Sequence, residues 1–323
     1  MRKTTERRFA ARFARLAAVP LLFIALLACG QSVADEGFEI VRREMVDDVE
    51  QAYVSYRSGE LTVTGWLFVH PFSEVDTEPC VIFNHGGVSG VSEGTRERCR
   101  WLAKKGYIVF APSYRGEDDS EGEVEVAAGE IDDVIAAMRL LSTHPGIRSG
   151  EFVLLGTSHG ALVSVHVAAR DEAKPWVKGI VAAYGVMDMY GWYQYLVDND
   201  FDVGDSLSLR VYGTGPDDKP EAFAQRHAHS LIPRLGAAPI FLVQGALDRI
   251  VPKEQALDMY RALRESGRQV DDCRLYEHGA HGFLFWDDPK LHPVEELRDA
   301  EKAWNDILNF FGGLVGPQED WGG

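Results

Sequence analysis

Cysteine is scarce in this sequence, with four residues among 323: Cys29, Cys80, Cys99 and Cys273. That number excludes a small domain held together by a dense disulfide framework. The spacing of the cysteines matches no zinc-binding pattern, so no metal site is expected. Cys29 falls in the N-terminal segment, and the other three allow at most one internal disulfide, whose pairing the sequence does not fix.

Basic side chains are also in deficit, with 33 lysines and arginines against 50 aspartates and glutamates, and the formal net charge is −17. Six of the basic residues lie within the first 28 positions, so the rest of the chain is more acidic still. A strongly negative surface repels the phosphate backbone of nucleic acids. We therefore expect no nucleic-acid partner.

Long apolar runs are absent except for Leu16–Ala28, which follows the basic segment Arg2–Arg15. This run is shorter than the roughly 20 residues that span a bilayer and is typical of a signal peptide. One interpretation is a signal peptide over residues 1–28, ending in a lipobox with lipidated Cys29; a second is plain secretion with cleavage after Ala34, and a third is an uncleaved anchor. All three predict a protein outside the cytoplasm, in the periplasm or cell envelope, with any membrane contact made through the N-terminus.

The remaining chain alternates between two kinds of segment. Tyr53–Arg57 and Leu61–His70 predict an N-terminal β-hairpin, with Ser58-Gly59 as its turn. Short apolar runs of strand type then alternate with longer amphipathic segments. The predicted strands are Val81–Phe83, Tyr107–Ala111, Phe152–Leu155, Ile180–Ala183, Ile240–Gln244 and Val270–Tyr276, and the predicted helices are Glu93–Lys105, Glu130–Leu141, Ala161–Ala169, Lys253–Glu265 and Val294–Phe311. This alternation predicts an α/β fold with a mostly parallel, doubly wound sheet. Residues 189–238 are too long for an ordinary connection and predict a small insertion over the carboxyl edge of the sheet.

The pentapeptide Gly156-Thr157-Ser158-His159-Gly160 matches G-x-S-x-G and lies between a predicted strand and a predicted helix. That context is typical of a nucleophile elbow, in which a tight turn projects the serine from the sheet. Larger side chains at Gly156 and Gly160 would collide with the neighbouring strand and helix. We therefore predict that Ser158 is a nucleophile.

A serine hydroxyl needs a base, and the base needs an acid that orients it. In α/β-hydrolases the acid follows the serine in the chain and stands just after a later strand. Asp248 follows the strand Ile240–Gln244 and is the predicted acid, while Asp258 and the pair Asp271-Asp272 are its nearest rivals.

Two histidines follow the next predicted strand, and one of them is the predicted base. We favour His281 over His278, because His281 precedes Gly282-Phe283 and has more loop with which to reach back over the serine. His278 is then a supporting or surface residue.

The tetrahedral intermediate of acyl transfer needs two N–H donors. One is the backbone amide of His159, whose ring should point away from the reacting centre. The second is predicted in Asn84-His85-Gly86-Gly87, which is similar to the oxyanion motif of lipases and esterases, and we assign it to Gly87.

Several segments in order resemble the catalytic domain of the prolyl oligopeptidase family and its dienelactone hydrolase neighbours. These segments are Asn84–Gly87, Pro112–Gly116, Gly156–Gly160, Pro239–Asp248, Val251-Pro252 and His281–Phe283. The resemblance covers about residues 60–313 and implies an α/β-hydrolase fold, the triad Ser158, Asp248 and His281, and an oxyanion hole from Gly87 and His159. We predict one catalytic domain over residues 36–313 and a tail over 314–323. Too few residues precede the domain for the β-propeller of the large peptidases in this family.

Aromatic residues follow two of the strands that should border the serine. Tyr184 and Trp192 come after one strand and Phe283 after another, so we predict that they line an apolar substrate pocket. The alternative is that these aromatics pack the insertion onto the domain.

These features predict a secreted or lipid-anchored serine hydrolase that cleaves small ester or peptide substrates without a metal or organic cofactor. Peptidase and carboxylesterase activity of the dienelactone hydrolase type both remain open, as does the oligomeric state. The alternative of another class is an inactive envelope protein that binds a ligand.

Overall fold

The computed structural model describes residues 37–70, 78–143, 147–201, 215–268 and 271–315. The predicted signal peptide, Cys29 and both predicted cleavage points lie outside these ranges and stay predictions, as do the domain limits. In the described ranges, no helix combines the length and the hydropathy that a bilayer span requires.

Nine strands of the described residues form one sheet in the order β1-β2-β3-β5-β4-β6-β7-β8-β9. Their bounds are β1 Glu39–Val46, β2 Val49–Ser58, β3 Leu61–Val69, β4 Glu78–Asn84, β5 Ile108–Pro112, β6 Ile147–Thr157, β7 Val177–Ala183, β8 Ile240–Gly245 and β9 Asp272–Tyr276. The first three strands pair antiparallel, β3 pairs antiparallel with β5, and all pairs from β5 to β9 are parallel. The predicted mostly parallel α/β sheet is therefore confirmed.

Helices cover both faces of this sheet. Their bounds are α1 Glu93–Lys104, α2 Gly129–Leu141, α3 His159–Ala168, α4 Met189–Asp198, α5 Pro220–Gln225, α6 Glu254–Glu265 and α7 Val294–Val315, with short 3₁₀ helices at Ala228–Arg234 and Phe283–Phe285. Alternate residues of β6 point into two separate cores, since Leu154 packs with α2, α3 and α6 whereas Leu155 packs with α1 and α7. The central strands are apolar throughout because both of their faces are buried.

The strand order places a crevice at the carboxyl ends of β4 and β6. The chain runs from β4 to β5 on one side, then returns past β4 to β6 on the other side. Such a reversal leaves room between the loops that follow the two central strands, and ligands of open α/β sheets bind there. The predicted oxyanion loop follows β4 and the predicted nucleophile follows β6, so the topology makes them neighbours.

The N-terminal region differs from the predicted hairpin by one additional strand. β2 and β3 form the hairpin, but its turn is Gly59-Glu60 and not the predicted Ser58-Gly59, because Ser58 still pairs with Leu61. β1 pairs with the outer edge of β2. The side chains of β1 are mostly exposed on both faces, including Val41 and Met45. The polar and apolar residues of β1 therefore do not alternate in the way that marks a half-buried strand.

Within the predicted insertion, the described residues form α4, α5 and the 3₁₀ helix Ala228–Arg234, while residues 202–214 lie outside the described ranges. α4 contacts the loop after β8, because the indole of Trp192 donates to the carbonyl of Ile250 and the hydroxyl of Tyr195 donates to that of Arg249, both at 2.8 Å. At the other end of the chain, α7 continues to Val315, two residues into the predicted tail.

Candidate active site

Ser158 occupies a tight turn between β6 and α3, with φ 52° and ψ −117°. This backbone conformation is rare for a residue with a side chain and is typical of strained functional positions. The two flanking glycines make the turn possible: a Cβ on Gly156 would lie 2.2 Å from the carbonyl oxygen of Gly160, and a Cβ on Gly160 would lie 2.0 Å from that of Asn84. The backbone at Ser158 therefore adopts the nucleophile elbow that the motif predicts.

Three side chains from the ends of three strands form one hydrogen-bonded chain. His281 Nε2 lies 3.0 Å from Ser158 Oγ, and His281 Nδ1 lies 2.8 Å from Asp248 Oδ2. A carboxylate only accepts, so Nδ1 carries the ring proton and Nε2 is left to accept from the serine hydroxyl. The Asp248 side chain is fully buried and the His281 side chain is 20% exposed, so the base faces the outside while its partner does not.

Asp248 is held in place by hydrogen bonds within the loop after β8. Its Oδ1 accepts from the backbone N–H groups of Ile250 and Val251, both at 2.9 Å. Gln244 at the end of β8 donates to Oδ2 at 3.3 Å. These bonds orient the carboxylate so that Oδ2 faces His281.

The rival residues are engaged elsewhere. Asp258 pairs with Arg261 on the surface of α6, and Asp271 accepts from Arg268 and from the amide of Ile240. His278 pairs with Asp299 at the start of α7 and does not reach Ser158. Of the two histidines after β9, the structure brings His281 to the serine.

The two predicted oxyanion residues lie on loops that meet at the serine. His159 is the first residue of α3, so its amide is at a helix N-terminus, and Gly87 (φ 75°) lies in the loop after β4. A Cβ on the preceding Gly86 would lie 3.1 Å from the Cβ of Ser158. The oxyanion loop therefore passes close beside the nucleophile.

A buried pair that sequence reasoning missed lies behind the oxyanion loop. Glu117 is 3% exposed, its Oε2 accepts from the amide of Gly90 at 2.6 Å, and this oxygen lies 3.3 Å from His85 Nε2. Burial raises the pKa of Glu117 to about 8 and lowers the pKa of His85 to about 4. Both shifts favour the uncharged forms near neutral pH. His85 Nδ1 is 3.0 Å from the carbonyl of Gly86, which fixes Nδ1 as the donor and leaves Nε2 without a proton, facing Glu117 Oε2.

The aromatic residues predicted to line a pocket lie in the protein interior instead. Phe283 has no exposed surface and packs against Tyr184 and Tyr276, with ring centroids 5.9 and 5.3 Å away. Tyr184 is 2% exposed, and its ring packs edge-on against that of His281. Trp192 is 7% exposed and anchors α4 to the loop after β8. Rings this deeply buried offer little surface to a substrate, and of the three residues only Trp192 belongs to the insertion that it packs onto the domain.

Cys80, Cys99 and Cys273 are free thiols in the structure. Among the described residues, no group of three or more histidine, cysteine or carboxylate side chains is arranged to hold a metal ion.

Comparison with known proteins identifies a family whose model matches this chain and solved structures that share its fold. The model of the prolyl oligopeptidase family matches residues 94–298. A Bacillus subtilis (strain 168) protein named uncharacterized peptidase YtmA is 27% identical over 218 residues, which cover 68% of this chain and 81% of that protein.

Two solved structures illustrate the shared fold. Pyrococcus horikoshii acylaminoacyl peptidase matches with a TM-score of 0.65 and 16% identity over 90% of this chain, and the chain spans 51% of its length. A putative dienelactone hydrolase from Klebsiella pneumoniae matches with a TM-score of 0.59 and 20% identity, covering 82% of this chain and 98% of that one. At these identities the likeness shows the α/β-hydrolase fold.

Proposed function

Because the chain belongs to the prolyl oligopeptidase family, we propose that it is a serine hydrolase that cleaves ester or peptide bonds through an acyl-enzyme intermediate. The observation that carries this proposal is the hydrogen-bonded chain from Ser158 through His281 to Asp248, with the serine on a strained elbow.

The first half of the reaction forms the acyl-enzyme. His281 Nε2 takes the proton from Ser158 Oγ as this oxygen attacks the carbonyl carbon of the substrate, and Asp248 holds the imidazolium that results. The amides of Gly87 and His159 donate to the oxyanion of the tetrahedral intermediate. When this intermediate collapses, His281 returns the proton to the leaving alcohol or amine.

The second half removes the acyl group. Water takes the place of the leaving group, His281 accepts its proton, and the hydroxide attacks the acyl carbon to form a second tetrahedral intermediate. Collapse of this intermediate releases the acid, and the proton goes back to Ser158 Oγ. All of these steps use side chains and amides of this chain.

A carboxylesterase of the dienelactone hydrolase type is the second candidate within this class. It is supported by the fold match to the Klebsiella putative dienelactone hydrolase, which extends over 98% of that protein. A panel of p-nitrophenyl esters beside aminoacyl and acylaminoacyl p-nitroanilides separates the two. Peptidase activity predicts turnover of the anilides, and esterase activity predicts turnover of the esters alone.

An inactive ligand-binding protein is the candidate of another class. A fluorophosphonate probe should label the wild-type protein at Ser158 and leave Ser158→Ala unlabelled, whereas a binding protein would remain unlabelled in both forms. We also propose that the protein works outside the cytoplasm, secreted or anchored by a lipid on Cys29; this proposal rests on the N-terminal sequence alone.

A further inference from the structure

The imidazole of His159 links two backbone segments beside the nucleophile. The amide of Ala127 donates to His159 Nε2 at 3.0 Å, and His159 Nδ1 lies 3.0 Å from the carbonyl oxygen of Gly87. An amide only donates and a carbonyl only accepts, so Nε2 must be the acceptor and Nδ1 must carry the proton. The surroundings thus admit one tautomer of the neutral ring.

The amide that selects this tautomer belongs to a strained turn. Val126 and Ala127 are consecutive left-handed residues, with φ 58° and 53°. Side chains disfavour this conformation, and it persists only where the surroundings impose it.

Glu130 imposes the conformation from one side. Its buried carboxylate accepts from the amides of Glu125 and Val126 at 2.8 and 2.7 Å and from that of Ala128 at 3.0 Å. Of the four consecutive amides in this turn, three are bonded to Glu130, and the fourth, that of Ala127, donates to His159.

Arg226 holds the same turn from the other side. Its guanidinium is buried and donates to the carbonyl oxygens of Val126 and Glu125. A buried carboxylate on the amides and a buried guanidinium on the carbonyls leave the turn little freedom. The position of the Ala127 amide is therefore fixed independently of His159.

We infer that His159 is a positioning residue for the oxyanion hole, an inference that rests on the serine hydrolase function proposed above. Its backbone supplies one of the two N–H donors, and its side chain holds the loop of the other donor by donating to Gly87. The turn at residues 125–128 orients this side chain. One residue thereby fixes the separation of the two donors.

The charges around His159 agree with a neutral ring. Burial is the largest influence and lowers the pKa of His159. Glu130 on α2 opposes this shift and Arg226 adds to it, while His85 faces the ring from the oxyanion loop and Tyr114 packs edge-on against it. A protonated ring would set a second donor against the Ala127 amide and break that bond.

Two variants of His159 test the inference. His159→Phe keeps the ring and removes both bonds; His159→Asn places an amide near the former Nδ1 and can still donate to Gly87. We expect kcat to fall about 10- to 100-fold in His159→Phe and less in His159→Asn, with KM nearly unchanged, since loss of a whole oxyanion donor costs about 10²–10³-fold. Tyr114→Phe is the matched control. Tyr114 packs against the ring of His159, and the substitution removes only a buried hydroxyl that has no hydrogen-bond partner.

A thiono ester, with C=S in place of C=O, supplies a readout that a general loss of structure would not move. Sulfur accepts weaker hydrogen bonds than oxygen, so an intact oxyanion hole prefers the oxygen ester. The rate with the oxygen ester divided by the rate with the thiono ester should fall in His159→Phe and stay at the wild-type value in Tyr114→Phe. An unchanged ratio in His159→Phe, or equal kcat losses in the two His159 variants, would overturn the inference.

Failure of the proposed function would be visible separately. It would appear as a wild-type protein that neither hydrolyses esters nor reacts with a fluorophosphonate. If His159→Phe does not fold, ¹⁵N NMR of the wild-type protein still decides the point. The expected spectrum has a protonated Nδ1 and a bare Nε2 on His159, and the opposite tautomer would contradict the inference.

Discussion

A Cβ on Gly160 would lie 2.0 Å from the carbonyl oxygen of Asn84, so the nucleophile elbow and the strand that leads into the oxyanion loop meet backbone to backbone. The contact joins the ends of β4 and β6, the two strands between which the chain reverses direction. The distance between the serine and its oxyanion donors therefore depends on this glycine.

Gly160→Ala should push the two loops apart and lower kcat by about 100-fold or more, because small displacements in an active site cost about that much. The free energy of unfolding should fall as well, since the new Cβ meets backbone atoms of Asn84 and His85, which cannot move aside as a flexible side chain could. Gly312→Ala on α7 is the matched control, because a Cβ there meets nothing within 4 Å. The control should keep its activity and gain about 0.5–1 kcal/mol in unfolding free energy. Wild-type kcat in Gly160→Ala would show that the two loops are not rigidly coupled.

The triad variants Ser158→Ala, His281→Ala and Asp248→Asn should each lower kcat by about three orders of magnitude or more. The double variant of Ser158 and His281 should be little worse than either single variant, because the residues act as a unit. His278→Ala is the control, since that histidine pairs with Asp299 away from the serine. The assignment of the base fails if His278→Ala abolishes turnover and His281→Ala does not.

The sequence could predict the features for which the backbone geometry allows only one residue type or fixes where a residue lies. Gly156 and Gly160 are required by contacts closer than any side chain allows, so the motif carries the elbow with it. Asp248 and His281 follow apolar strands, and the ends of parallel strands meet at one edge of a sheet. Their convergence on Ser158 was therefore predictable from their order in the chain.

The features that escaped prediction depend on burial, which the local sequence does not reveal. Glu117 stands in an acidic stretch that is typical of a solvated loop, yet its side chain is inside the protein. Val126 is β-branched and gives no sign of a left-handed conformation. Phe283 stands two residues after the base, a position that predicts a pocket, but its ring is buried in the core.

Phe283→Ala should act on stability and not on specificity. The side chain is fully buried, and removal of such a ring costs about 3–5 kcal/mol of unfolding free energy. The measurement is denaturant unfolding beside KM for an aromatic and an acetyl ester. Phe283→Leu, which leaves a smaller cavity, should fold well enough for the kinetics. A selective rise in KM for the aromatic ester with unchanged stability would restore the pocket interpretation.

Cys29→Ser tests the proposed lipid anchor. If Cys29 is lipidated, the wild-type protein should partition with the membrane fraction and the variant should be soluble, because the acyl chains supply the membrane affinity. Intact mass of the mature protein is the second measurement. A lipid-free chain that begins at Asp35 in the wild type would instead indicate plain secretion.

Glu117→Gln should change how stability depends on pH. The folded pKa of Glu117, about 8, is above its ordinary value of 4.5, so this carboxyl contributes stability that is complete below pH 4.5 and is lost as pH rises through 8.

His85 has the opposite dependence: its folded pKa of about 4 is below its ordinary value of 6.5, so its contribution is complete above pH 6.5 and is lost as pH falls through 4. Between pH 6.5 and 8, therefore, only Glu117 of this pair changes the stability. Glutamine is close to glutamate in shape, is uncharged at every pH, and can still accept from the amide of Gly90 through its carbonyl oxygen. Relative to Glu117→Gln, the wild-type protein should lose up to about 1.4 kcal/mol of unfolding free energy per pH unit at the acid end of this window, less as the pH approaches 8, and then level off. Urea unfolding of both proteins at pH 6.5, 7.25, 8 and 9 measures the difference, and parallel curves would mean that Glu117 is already ionised in the folded protein at pH 6.5.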